Sequence, residues 1–305
     1  MSKAHGVVAP AGSAASPPNV PSVQTLRSWL PLYFQKADRT INHLSRILST
    51  PAGTDTLLMT ICYTSRLSAA VLSSISLHRL HQAAREFVEK AISLPPNTTV
   101  IIDTSDIPPS RLLITAKRLK ALSTLISDFR TFTRLWGLIG IYKWGRSTLL
   151  DPPEDAVLRQ ITYAQVLSNI FFQYFENGAY LSSKGVLGWS PERQGRAWRY
   201  SSRFWMTHVA LNFVRLYRET VLRANRGTEE QKRTDGPKGD VITDRDQAAW
   251  LAKWRKDLAT NLAWAPLTVH WSLENGLVSE FWIGLLGSVA GITGLRVLWK
   301  NTILA

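Results

Sequence analysis

Between Phe281 and Leu295 the chain carries fifteen residues without a charge, and Gly284, Gly287, Gly291 and Gly294 recur there at helical spacing. A glycine costs about 1 kcal/mol inside a water-exposed helix. Such a ladder is expected where a second helix must approach closely, above all in a membrane. The run reaches Trp299 if Arg296 extends its charge along its stem to the surface. Fifteen to nineteen residues make about 22 to 28 Å of helix, against a hydrocarbon core of roughly 30 Å. Phe281 and the four glycines are therefore the expected anchor and helix-packing positions, with Gly287 and Gly291 forming a GxxxG pair. A hydrophobic core helix with small-residue packing is the competing reading. Leu262 to Leu273 is a second uncharged run, divided by Pro266. A membrane hairpin at the C-terminus is thus a further expectation.

A second stretch poses the same choice. From Gln160 to Phe175 there is no Asp, Glu, Lys, Arg or His, while Ile161, Leu167, Ile170, Phe171 and Phe175 place apolar groups on every side of a helix. Its polar side chains, Gln165, Asn169, Gln173 and Glu176, fall on one stripe. Such a helix belongs inside a bundle that satisfies its amides or at the edge of a bilayer.

Net charge and tryptophan weigh on the choice. A formal charge of +14 in 305 residues implies an anionic partner, and phospholipid head groups and nucleic acid are the common ones. Twelve tryptophans favour the membrane, where an apolar ring with a polar edge sits at the interface. The single cysteine, Cys62, excludes an intramolecular disulfide and a thiolate zinc cluster and fits a reducing compartment. The proline-broken N-terminus lacks the apolar run of a secretory signal.

The expected organisation is a disordered tail over 1–24, an N-terminal amphipathic helical region over 25–150, central aromatic helices over 151–222, a charged loop over 223–248 and C-terminal membrane helices over 249–305. The loop holds six basic and six acidic residues between Arg223 and Asp246, so the basic excess belongs to the helices. Two helices are amphipathic on a wheel. In the first, Leu77, Leu80, Phe87, Val88 and Ile92 oppose Arg79, Arg85, Glu86 and Lys90. In the second, Arg111 to Arg146, eight basic residues face one acid, Asp128. Lys117, Lys120, Arg130 and Arg134 lie opposite Leu122, Leu125, Phe129, Phe132 and Trp136. A basic face opposite a Leu/Phe/Trp face suits a helix lying among anionic head groups, where each Lys or Arg adds roughly 1 kcal/mol. The expected membrane-binding residues are Leu77, Leu80, Phe87, Val88, Lys117, Lys120, Phe129, Arg130, Phe132, Arg134 and Trp136. From Arg193 to Arg218 arginines alternate with aromatics, a pattern that fits cation-π packing, phosphate binding or a protein contact alike.

Catalytic signatures do not emerge. No P-loop, dinucleotide fingerprint or nucleophile elbow is present, and His78 and His81 share a helical turn without a third ligand, so neither enzyme, cofactor nor metal site is expected. Glu176-Asn177-Gly178 and Glu274-Asn275-Gly276 form a faint internal echo.

Four segments resemble the peroxin-11 family of peroxisomal membrane-elongation proteins. They are GTDTLLMTICYTSRLSAAVL from Gly53, ISDFRTFTRLWGLIGIYKW from Ile126, FFQYFENGAYLSSKGVL from Phe171, and HWSLENGLVSEFWIGLLG from His270, the last similar to the fungal C-type branch. The likeness runs from about Thr25 to Trp299. It implies an all-α membrane protein of the peroxisome with amphipathic interfacial helices and a hydrophobic C-terminal helix or hairpin. Such a protein would bend the cytosolic leaflet, self-associate and recruit the organelle's fission machinery. Its expected partner is an anionic phospholipid membrane rather than nucleic acid. Alternatives left by the residues alone are a helical channel or transporter lined by the polar stripe, a nucleic-acid-binding helical protein, and a soluble helical scaffold.

Overall fold

The computed structural model describes residues 23–93, 95, 110–232 and 244–304. Most of the tail expected over 1–24 lies outside them. The described residues form helices α1 (Val23–Leu48), α2 (Pro51–Ile92), α3 (Arg111–Thr133), α4 (Gly137–Leu150), α5 (Ala156–Ser183), α6 (Pro191–Lys232), α7 (Asp244–Ser272) and α8 (Glu280–Leu304), with one 3-10 turn at Arg134–Trp136. No strand occurs among them. The chain divides into two units, 1–46 and 47–305. In the first, Leu30, Phe34, Ala37, Ile41 and Leu44 follow one another along a single face of α1, and Leu30, Phe34 and Ile41 are exposed.

Local chemistry sets the helix starts in the second unit. Thr50 caps α2, its hydroxyl accepting from the Gly53 amide at 3.1 Å, with Pro51 in the first helical position where a missing N–H costs nothing. Asp155 caps α5 by accepting from the Leu158 amide at 2.9 Å, just after Pro152 and Pro153. Two boundaries differ from expectation. Helix α6 runs on to Lys232, into the stretch expected as a charged loop, and 233–243 lies outside the described residues. Pro266 sits inside α7 without ending it, held there by packing that buries Leu267 and Thr268 completely.

The helices pack in the order α3, α2, α8, α7, α6, α5, α4, and the 3-10 turn that joins α3 to α4 in the chain also touches α5. Neighbours run antiparallel. Cys62 meets Ser123 and Asp55 meets Arg130 between α2 and α3, while Ser168 reaches Phe204 and Ser201 reaches Phe172 between α5 and α6.

What the helices bury between them is rich in small and polar side chains. Buried positions include Thr60, Ser65, Ser123, Gln165, Ser168, Gln173, Glu176, Ser201, Asn261, Thr268, Ser272 and Ser288, alongside small apolar Ala69, Ala116, Ala179, Ala197, Ala263 and Ala290. Ile47, Ile126, Ile161, Leu216, Leu267 and Ile283 are buried with them, but many large apolar groups face out: Leu125 is 67% exposed, Ile139 65% and Leu149 70%. In water the exposed part of that apolar surface gains nothing from folding. In lipid the arrangement is the expected one, because small and hydrogen-bonding residues hold helices together where burial of hydrocarbon gains nothing.

Candidate membrane interface

Among the described residues two helices are long and apolar enough to cross a membrane, α2 and α8. Their most apolar windows are 22% and 33% buried, far from the enclosure of a soluble core helix. They lie antiparallel in close approach. A side-chain carbon at Gly284 would stand 2.6 Å from the Leu67 backbone nitrogen; one at Gly291 would meet Thr60, one at Gly294 Thr56, and one at Gly287 the ring of Tyr63. The glycine ladder is thus filled by α2 of the same chain, and its face is not open to a second copy. Phe281 and Trp282 stay exposed at the start of α8 in an edge-on pair. There Glu280 accepts from Arg66 at 2.6 Å.

The amphipathic segments point the other way. Every residue from Leu77 to Lys90 is exposed, so the second half of α2 packs on nothing among the described residues. Leu77, Leu80, Phe87 and Val88 are bare on one arc, with Arg79, Arg85 and Lys90 on the other. Helix α3 buries only a narrow seam against α2, formed by Ala116, Ser123, Ile126 and Arg130. Leu122, Leu125, Phe129 and Phe132, with Trp136 of the 3-10 turn, are exposed, as are Lys117 and Lys120.

Arg130 and Arg134 depart from the expected head-group face. Arg130 is buried, donating to both carboxylate oxygens of Asp55 at 2.7 and 3.1 Å. Arg134 makes the same fork on Glu176 at 2.9 and 2.8 Å. The physical reason is an acid on each facing helix, which a wheel drawn for one helix does not see. Expected as one helical stretch, Arg111 to Arg146 therefore breaks at residues 134–136. Asn177 donates to the freed Leu135 carbonyl at 2.8 Å, and Gly137 lets the chain pass over Gln173. Lys184 closes the same end of α5 onto Asp128 at 2.6 Å.

The polar stripe of α5 is engaged across its interfaces. Gln165 donates to Asn212 at 2.9 Å, Asn212 to Asn261 at 3.1 Å, and Asn169 and Asn212 flank the ring of His208 at 2.8 and 3.1 Å. Burial, and then the charge of Arg215, push His208 down to about 4, so its ring is neutral within this network. Gln173 donates to Asn177 on its own helix, and Glu176 holds Arg134.

Sequence reasoning missed three things. One is the stripe of α1, where Leu30, Phe34 and Ile41 recur at helical spacing. The acids that engage arginines, Asp55, Asp155, Glu176 and Glu280, carry no local signal because their partners lie on other helices. His270 accepts from the Leu277 and Val278 amides at 2.7 and 3.0 Å and orders the turn before α8. In that turn Gly276 takes φ +66°, whereas Gly178 sits mid-helix beneath the Trp189 ring, so the Glu-Asn-Gly echo joins two unlike structures.

Residues 113–299 match the profile of the family described as peroxisomal biogenesis factor 11. An uncharacterized protein of Schizosaccharomyces pombe is 28% identical over 200 residues, covering 65% of this chain and 84% of that protein. No solved structure matches the chain.

Proposed function

Because the chain belongs to the peroxisomal biogenesis factor 11 family, and is therefore a peroxisomal membrane protein with a part in peroxisome proliferation, we propose that it bends the membrane with its exposed amphipathic helices. The observation that carries this reading is the unpacked second half of α2, where Leu77, Leu80, Phe87 and Val88 stand exposed next to a helix half that is seated in the bundle. A helix held at one end and bare along an apolar arc lies into a leaflet, enlarging that leaflet and favouring positive curvature. Lys117 and Lys120, free of the internal pairs that hold Arg130 and Arg134, give the neighbouring α3 its attraction to anionic lipid. Lys120 does stand 3.9 Å from Glu280, a weak exposed pair. Self-association and recruitment of fission machinery belong to the same proposal. The α2–α8 seam is occupied, so a second copy would meet the exposed apolar faces of α3, α4 or α5.

The test uses the full chain in anionic liposomes imaged by electron microscopy. Leu80→Glu with Phe87→Glu removes insertion worth about 3 kcal/mol or more. This variant is expected to remain in the vesicles through α2 and α8 but to lose tubulation. Undiminished tubulation would remove α2 from the mechanism.

A further inference from the structure

Where α5 turns into α6, a cleft of about 220 Å³ opens between Tyr174 and Phe175 on one side and Trp189, Arg193, Arg196 and Tyr200 on the other. Its construction is specific. Trp189 is seated on Gly178, where any side chain would collide with the indole. The Arg193 guanidinium lies over that indole at 4.3 Å. Stacking uses the face of a guanidinium and leaves its in-plane N–H donors available. Arg196, one turn on, shares the same wall. Neither arginine has a carboxylate within ion-pair distance among the described residues. By contrast Arg66, Arg130, Arg134 and Arg218 are each paired with an acid.

Glu192, whose carboxyl is held below its usual range first by hydrogen bonds from its own amide and Ser190 and then by the charge of Arg196, stands beyond ion-pair distance. Two forked cations with their donors unpaired select a phosphate, and four aromatic rings beside them select an apolar body attached to it. A free inorganic anion would leave those rings bare. We propose that this cleft binds the phosphate and glycerol of a single anionic phospholipid, with Arg193 and Arg196 on the phosphate and the aromatic wall along the first acyl carbons. The inference rests on the chain being in a membrane, yet it names a site apart from the amphipathic helices. The cleft lets the protein hold one head group in place while its helices bind the surface collectively.

The test is native mass spectrometry of the detergent-solubilised full chain, titrated with phosphatidate, phosphatidylcholine and glycerol 3-phosphate. The expected result is one retained phosphatidate per chain, weakened at least tenfold by Arg193→Gln with Arg196→Gln, with helicity unchanged because both side chains are exposed. Undiminished retention in that variant overturns the site. Equal retention of phosphatidylcholine overturns its choice of charge, and displacement by glycerol 3-phosphate at equal concentration overturns the lipid in favour of a soluble phosphate ester. Liposome association of the same variant keeps the two readings apart. It stays intact if only the cleft is wrong, and is absent already in the wild type if the membrane reading is wrong.

Discussion

Glu176 shows how much one residue can organise here. It is buried beside Gln173 and Gly178, and its two oxygens receive the Arg134 fork that lets the chain break at the 3-10 turn. Glu176→Gln keeps the shape but leaves a partly buried guanidinium without its counter-charge, so a loss of about 2 kcal/mol is expected in chemical unfolding of the detergent-solubilised chain. A stability equal to wild type would show that water serves Arg134 as well. Gly287 is the steric counterpart. Valine there meets the Tyr63 ring and is expected to cost about 1–3 kcal/mol by overpacking, read in the same unfolding experiment, whereas Gly140, with open space around it, accepts alanine freely. Asp155 is the titrating case. Hydrogen bonds from Arg218, then from the Leu158 amide, lower its pKa from 3.8 to about 2. A carboxylate depressed in the folded state stabilises above its unfolded pKa, so that contribution is complete above pH 3.8 and fades as pH falls toward 2. Asp155→Asn should flatten the acid limb of thermal melts over that interval; an unchanged limb would assign the acid sensitivity elsewhere.

Helices were readable from this sequence because their information is local. Pro51 and the pair Pro152-Pro153 punctuate the chain ahead of helices, and the glycine ladder of α8 announces a close neighbour without naming it. What could not be read was partnership. Nothing near Gly287 points to Tyr63, and nothing near Arg130 points to Asp55, because the contacts join residues on separate helices. The interface divides in the same way. Leu77, Leu80, Phe87 and Val88 stand exposed on α2, whereas Arg130 and Arg134 turned inward, since an isolated wheel treats every cation on its polar arc as free. Helix α1 extends the argument. Its apolar stripe through Leu30, Phe34 and Ile41 is as bare as the free half of α2. Phe34→Glu with Ile41→Glu should lower partitioning of the full chain onto anionic liposomes in flotation, with a loss of roughly 2–3 kcal/mol of insertion energy. Equal flotation would confine surface binding to α2 and α3.

For the molecule as a whole, the distribution of polarity decides which solvent the fold belongs to. Gln165, Asn212, Asn261 and His208 form a hydrogen-bonded interior, Arg130 and Glu176 form ion pairs beside it, and leucines, isoleucines and aromatics cover the outside. Desolvating those polar groups is costly unless each finds a partner, and here the helices supply the partners to one another. In water the same surface would aggregate, whereas a bilayer covers it and leaves the internal hydrogen bonds as the distinguishing attraction between helices. Both candidate spans lie in one seam, α2 against α8, locked by glycines along its length and by Arg66 and Glu280 at one end. An anchor built this way resists treatments that strip proteins held by charge. The chain in purified peroxisomes should therefore remain in the membrane pellet through alkaline carbonate. Release into the supernatant would mean that the apolar exterior is covered by protein instead, and the bundle would then have to be read as one part of a soluble assembly.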